Sequence, residues 1–262
     1  MSSPWVFDKS HYDALNVARE AAVQSVLPDL KNGLALKTVL DLGCGLGHYS
    51  QILHKYGFDV LAVDGRPENV AEARHRYPHL KFEIADAEDP KLGDLGKFDL
   101  VFCFGLLYHL ENPLRVIRNI ARLTNKFTLV EGMVYPTPEP AMVLMDENDA
   151  EDQALKFVAF YPSESCLIKM LRRAGFSECF MPARMPKHSD YDTSRNGFRR
   201  RTLLGASKVP VNSTTLVPWP DPSPKADPWE MLPLYPSHPR AGAVYGAVDR
   251  WLHSKRRRGD QQ

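Results

Sequence analysis

At 262 residues, the chain is one large domain or one domain with additions. Apolar residues make up 44%, enough to bury a substantial core, which argues against wholesale disorder. Lys+Arg 33 against Asp+Glu 32 leaves a formal net charge of +1, so no whole-chain field draws it to nucleic acid or lipid. The opening stretch MSSPWVFDKSHYDAL lacks the basic-then-apolar pattern of a signal peptide. The longest apolar stretch, Leu100 to Leu107, is too short to span a membrane. Cys44, Cys103, Cys166 and Cys179 show neither CxxC spacing nor disulfide density, as expected in a reducing compartment. These features predict a soluble, cytoplasmic α/β protein.

In chain order, residues 10–30 place apolar side chains at helical intervals, with Ser10 as N-cap. KTVLDL (37–42) reads as a short buried strand running into a glycine turn, and 48–56 as a helix stopped by Gly57. DVLAV (59–63) is a second strand ending in Asp64, 69–77 a helix, and LKFEI (80–84) a third strand ending at Asp86-Ala87. FDLVFCF (98–104) is the most apolar strand, followed by an amphipathic helix over 113–123 and a fifth strand, KFTLVE (126–131). Five strand–helix alternations imply a parallel sheet covered on both faces.

Residues 136–162 break that rhythm with prolines and an acidic cluster at 146–152, and a connection of this length inside a compact domain is usually functional. SESCLIKMLRRA (163–174) is a helix with serine at its cap and Gly175 at its end. Residues 178–181 and RTLLGAS (201–207) read as closing strands joined by a basic loop. The proline-rich stretch 210–239 is expected to be extended and outside the sheet, with a last short helix over 242–253. The division expected is a core domain over 1–209, with 136–162 as a substrate lid, and an extension over 210–262.

The chemistry-bearing stretch is VLDLGCGLGHYS (39–50). A phosphate-binding P-loop needs GxxxxGK[ST], and no Lys-Ser or Lys-Thr follows these glycines. A dinucleotide fingerprint needs GxGxxG; here the third glycine, Gly47, arrives one place early, and Asp41 sits two residues before Gly43. The series is longer than the triplet: DxGxGxG at the first strand end, Asp64 at the second, and Asp86-Ala87 at the third. This pattern resembles the class I S-adenosylmethionine-dependent methyltransferases over roughly residues 10–209.

The resemblance implies a Rossmann-like, seven-stranded, mostly parallel sheet with helices on both faces and a C-terminal antiparallel strand. It implies S-adenosylmethionine as cofactor, with Gly43, Gly45 and Gly47 allowing close approach of the backbone. Asp64 would accept from the ribose hydroxyls, and Asp86 would take the adenine amino group beside the Ala87 backbone. Phe104 and Gly105 would form the floor near the methionine arm, with Asp41 near its ammonium. His48 and Arg66 are candidates for the carboxylate side and the adenine edge. Each aspartate has a plainer alternative as a turn cap, and Cys44 reads as a small filler.

For the acceptor, FGLLYHLENP (104–113) puts Tyr108 and His109 at the end of the fourth strand, where ligands of parallel sheets bind. His109 could take the acceptor's proton, or it could serve the local backbone structurally; Tyr108 reads first as a pocket wall. No Asp/His cluster has metal-ligand spacing, so no metal is expected. The aromatics Phe157, Phe160 and Tyr161, with Trp5, Phe7 and Tyr12, could close the pocket. YHLENP together with AFYPSESCLIKMLRRAGF also resembles a branch that includes the tRNA wobble-uridine carboxymethyltransferase, though no core-motif residue offers the positive group such chemistry needs. The basic runs 195–201 and 255–258 are short. The expected acceptor is a small molecule, sugar-like or a secondary metabolite among the candidates, with tRNA second and a non-catalytic binding module third.

Overall fold

The computed structural model describes residues 13–147, 157–194 and 197–219. The expected N-cap Ser10, the aromatics Trp5, Phe7 and Tyr12, and the helix over 242–253 lie outside them.

Helix α1 (Asp13–Gly33) leads into β1 (Thr38–Leu42), then α2 (His48–Lys55), β2 (Asp59–Asp64), α3 (Pro67–Arg76) and β3 (Lys81–Ile84). Next come β4 (Phe98–Phe104), α4 (Pro113–Leu123) and β5 (Thr124–Met133), then a hairpin of β6 (Met142–Asp146) and β7 (Val158–Pro162). The chain continues with α5 (Glu164–Arg173), β8 (Glu178–Pro182), β9 (Arg201–Ser207) and β10 (Leu216–Pro218).

The main sheet runs β10-β8-β9-β5-β4-β1-β2-β3. Strands β1 to β5 pair in parallel, and β9 enters antiparallel to β5 and β8. The order reverses at β1, with β2 on one side and β4 on the other, and the loops after these strands flank one crevice. Two apolar cores cover the sheet faces, one around Val101, Ile117, Ile120 and Leu171, the other around Leu27, Leu53, Phe102 and Phe127. The nearly unbroken burial of β4 and β9 follows from this two-sided cover. Ser163 caps α5 by accepting from the Cys166 N–H at 3.1 Å, as the sequence suggested.

The expected fold class holds, and the sheet carries one strand more than seven. The stretch after Pro210 is not wholly outside the sheet, because β10 pairs antiparallel with β8. Asp29 of α1 explains the docking: its carboxylate accepts from the Ser213 hydroxyl at 2.5 Å, the Thr214 N–H at 3.1 Å and the Thr215 hydroxyl at 3.0 Å. Pro218 is tolerated there because the strand lies at the edge, where a missing donor costs no ladder bond. The 136–162 connection holds the two-stranded hairpin, with Met142 opposite Pro162 and Asp146 opposite Val158.

Candidate cofactor and acceptor site

A cavity of about 370 Å3 opens at the C-terminal ends of β1, β2 and β4, within the range of small-molecule sites. Its wall includes Gly43, Gly45, His48, Asp64, Arg66, Asp86, Ala87, Phe104, Gly105, Tyr108 and His109. The structure thus brings together eleven of the thirteen residues picked from the sequence.

The other two lie beneath the wall. Asp41 is 2% exposed and its Oδ2 accepts from the Ser50 hydroxyl at 2.6 Å, so it supports the glycine loop from below and does not line the cavity. Gly47 opens α2 with φ 84°, and a Cβ there would stand 2.9 Å from the Phe82 ring. It lets the helix close on its neighbours and does not face a ligand.

Gly43 (φ 79°) and Gly105 (φ 72°) occupy left-handed backbone on the wall itself. Asp64 organises the turn between them and β2. Its Oδ2 accepts from the Gly45 N–H at 2.9 Å, and its Oδ1 accepts from the Arg66 N–H at 2.9 Å and Asn69 Nδ2 at 3.1 Å. A carboxylate has about four lone-pair sites, so capacity remains toward the cavity. Asp86 Oδ1 accepts from the Glu88 N–H at 2.8 Å, which fixes the carboxylate beside Ala87. Partial desolvation lowers the pKa of the half-exposed His48 imidazole, with Glu20 opposing.

The opposite end is built around Glu131. Arg19 Nη2 approaches its Oε2 at 2.7 Å, and its Oε1 accepts from Arg201 Nη1 at 3.0 Å and from the Tyr191 hydroxyl at 2.5 Å. Arg201 Nη2 also donates to the Tyr108 hydroxyl at 2.9 Å. Burial pushes the Glu131 carboxyl up, but Arg19 and then Arg201 outweigh it and hold the pKa below the usual range. For Arg19, burial likewise disfavours the charge and Glu131 more than restores it.

The 2.7 Å contact is a buried ion pair. Arg19 Nε and Nη2, Glu131 Oε2 and the Tyr49 hydroxyl are all buried without a hydrogen-bond partner among the described residues. Buried polar atoms are rarely left so, and Arg19 and Tyr49 line the cavity. Beside them, the turn Leu107–His109 packs on β7, with Tyr161 edge-on to Tyr108 at 5.7 Å. His109 Nδ1 lies 2.9 and 2.8 Å from the two carboxylate oxygens of Glu147.

Arg19, Glu131, Arg201 and Glu147 were not picked from the sequence. Arg19 had a signal: the buried face of α1 runs Leu15, Ala18, Arg19, Ala22, Val23, Val26, and a cation inside an apolar stripe demands a partner. Glu131, closing an apolar strand, carried a weaker version of that signal. Glu147 had none, standing among acids of an apparently solvated run. The four cysteines are free and buried. Among the described residues no metal-binding cluster occurs and no helix is long and apolar enough to cross a membrane.

A sheet of this order, with its glycine turn after β1 and acids at the ends of β2 and β3, defines a class I methyltransferase fold. The family model for a methyltransferase domain matches residues 16–177. The chain belongs to the class I S-adenosylmethionine-dependent methyltransferase family. Among characterised relatives, the tRNA U34 carboxymethyltransferase of Campylobacter jejuni is 27% identical over 161 residues, 59% of this chain and 54% of that protein. The ubiquinone biosynthesis O-methyltransferase of Xanthomonas oryzae pv. oryzae is 36% identical over 94 residues, 34% of this chain and 39% of that one. The chain thus spans about half the length, or less, of these relatives. The N-terminal domain of EvdMO1, solved with S-adenosylhomocysteine bound, shares the fold at TM-score 0.55 and 22% identity, covering 74% of this chain and 81% of that chain.

The wall fits the family's cofactor. A ribose diol needs an acceptor such as Asp64, and a carboxylate suits a guanidinium on the wall such as that of Arg19.

Asp41 gives a pH prediction. Burial pushes its carboxyl up to about 7, Ser50 opposing and Asp64 adding. Unfolded, it titrates near ~4. Between these values the native chain keeps a proton that the unfolded chain has lost, so this group's contribution to stability falls as pH rises through that window. Urea midpoints compared across the window should decline less steeply for Asp41→Asn than for wild type, and identical slopes would contradict the burial argument.

Proposed function

We propose that the chain transfers the methyl group of S-adenosylmethionine to a small-molecule acceptor at the Tyr108–His109 end of the cavity. The observation that carries this reading is the β6–β7 hairpin, which narrows that end. The Phe160 N–H donates to the Leu110 carbonyl at 3.0 Å and Tyr161 stands against Tyr108, so an acceptor must enter a walled chamber.

In this reading Asp64 binds the ribose hydroxyls, Asp86 the adenine amino group, and Arg19 the methionine carboxylate. Gly43, Gly45 and Gly105 admit the ligand close to the backbone, Phe104 lies under it, and His48 and Arg66 flank it. The hairpin acts as the substrate lid expected from the sequence. The cofactor's sulfonium makes its methyl group electrophilic, so the chain's main task is to hold an acceptor atom in line with it.

A second reading, tRNA modification, follows the Campylobacter relative. The positive group that the core motifs lacked is supplied by Arg201 beside Tyr108, although Glu131 and Tyr108 already engage it.

Incubating the full chain with methyl-labelled S-adenosylmethionine, total tRNA and a deproteinised metabolite extract separates the two. Label in the small-molecule fraction is expected; label confined to tRNA, or in neither fraction, would overturn the proposal. Asp64→Ala should weaken S-adenosylhomocysteine binding by about 10- to 100-fold, the worth of a hydrogen bond to a charged group. Unchanged affinity in a titration would remove the ribose assignment.

A further inference from the structure

Glu147 follows β6 in the middle of an acidic run, yet its side chain is only 3% exposed. Both its oxygens face Nδ1 of His109, whose side chain is 15% exposed and lines the cavity. His109 Nε2 has no hydrogen-bond partner among the described residues. Among the described residues, the other ionisable groups around the imidazole are Tyr108, with ring centroids 4.1 Å apart, Tyr161 from β7, Arg201 beyond the Tyr108 hydroxyl, and Glu111 on the same wall.

A carboxylate on Nδ1 keeps the proton there and leaves the Nε2 lone pair directed away from it. It also offsets the positive charge that appears when Nε2 takes a proton. Neither service is needed by an acceptor that arrives ionised, nor by an amine that attacks through its own lone pair. Both are needed by a hydroxyl, which loses its proton as it attacks.

We infer that Glu147 is a positioning residue that makes His109 the general base of the reaction, and that the acceptor atom is an un-ionised hydroxyl oxygen. This rests on the reading of the cavity as a methyl-transfer site. The hydroxyl oxygen bonds to the methyl carbon while the carbon–sulfur bond breaks with its electron pair going to sulfur. The hydroxyl proton passes to His109 Nε2, giving a methyl ether, S-adenosylhomocysteine and an imidazolium that returns its proton to solvent.

The test needs no acceptor. In the full chain labelled with 15N-histidine, the His109 signals, identified by their loss in His109→Gln, should show the Nδ1–H tautomer in mildly alkaline buffer. Glu147→Ala should shift them toward the Nε2–H tautomer. Diethylpyrocarbonate should acylate His109, read by peptide mass spectrometry, at least about tenfold more slowly in Glu147→Ala and Glu147→Gln, the worth of a charge-assisted hydrogen bond. An Nε2–H tautomer in wild type, or a tautomer and acylation rate indifferent to Glu147, would overturn the inference. Titration with S-adenosylhomocysteine runs alongside: the Glu147 variants should bind it within about twofold of wild type, since the carboxylate acts on His109 and not on the cofactor. A wild-type chain that keeps the His109–Glu147 signature but binds no S-adenosylhomocysteine would overturn the methyl-transfer reading itself, and the base assignment with it.

Discussion

The carboxylate of Glu131 is the point on which the reactive end of the protein depends. It lies at 1% exposure near the end of β5 and ties together α1 through Arg19, β9 through Arg201, and the loop before β9 through Tyr191. Its backbone carbonyl also accepts from the Gly105 N–H at 2.9 Å, so the same residue sets the floor after β4. Removing one member of a buried ionic group typically costs about 3–5 kcal/mol, because the remaining charges stay buried without compensation. Without Glu131, two guanidinium groups would face each other in the interior. Arg19, paired with Glu131, is also among the residues that line the cavity.

The Tyr108–His109 end of the cavity inherits its shape from that anchor. Arg201 holds the Tyr108 hydroxyl, and the guanidinium stands 5.1 Å from the Tyr108 ring centre. Gly132, next to Glu131, leaves room for that ring, since a Cβ there would approach it to 2.8 Å. With Tyr108 fixed on one side and β7 on the other, His109 is directed toward Glu147. The chain of contacts therefore runs from a buried ion cluster through an aromatic side chain to the imidazole on the cavity wall. At the end beside the glycine turn the logic differs: a single carboxylate, Asp64, ties down that turn and the start of α3 through hydrogen bonds to backbone and Asn69.

Much of this was legible in the amino-acid order because the alternation of strands and helices, and the glycines and acids at strand ends, are local signals. Strand β4 is a continuous apolar run, and Ser163 is a local cap. What escaped were pairings across long sequence distances. Glu131 meets Arg19 from more than a hundred residues away, and Arg201 from seventy; no period marks such partners. Asp41 looked like a ligand because it precedes the glycines, yet strand alternation turns its side chain beneath the loop to Ser50. Strand β10 was hidden by proline-rich composition, and only the Asp29 contacts to residues 213–215 show why it docks. Glu147 was masked by its acidic neighbours, since composition cannot distinguish a carboxylate that turns inward from one that stays in solvent.

The most direct test of the whole account is a calorimetric titration of the chain with S-adenosylmethionine and S-adenosylhomocysteine, with NAD as control. A cavity lined by Asp64, Asp86 and Arg19 predicts saturable one-site binding of the first two and no heat with NAD. A folded chain that binds neither, or that prefers NAD, would contradict it.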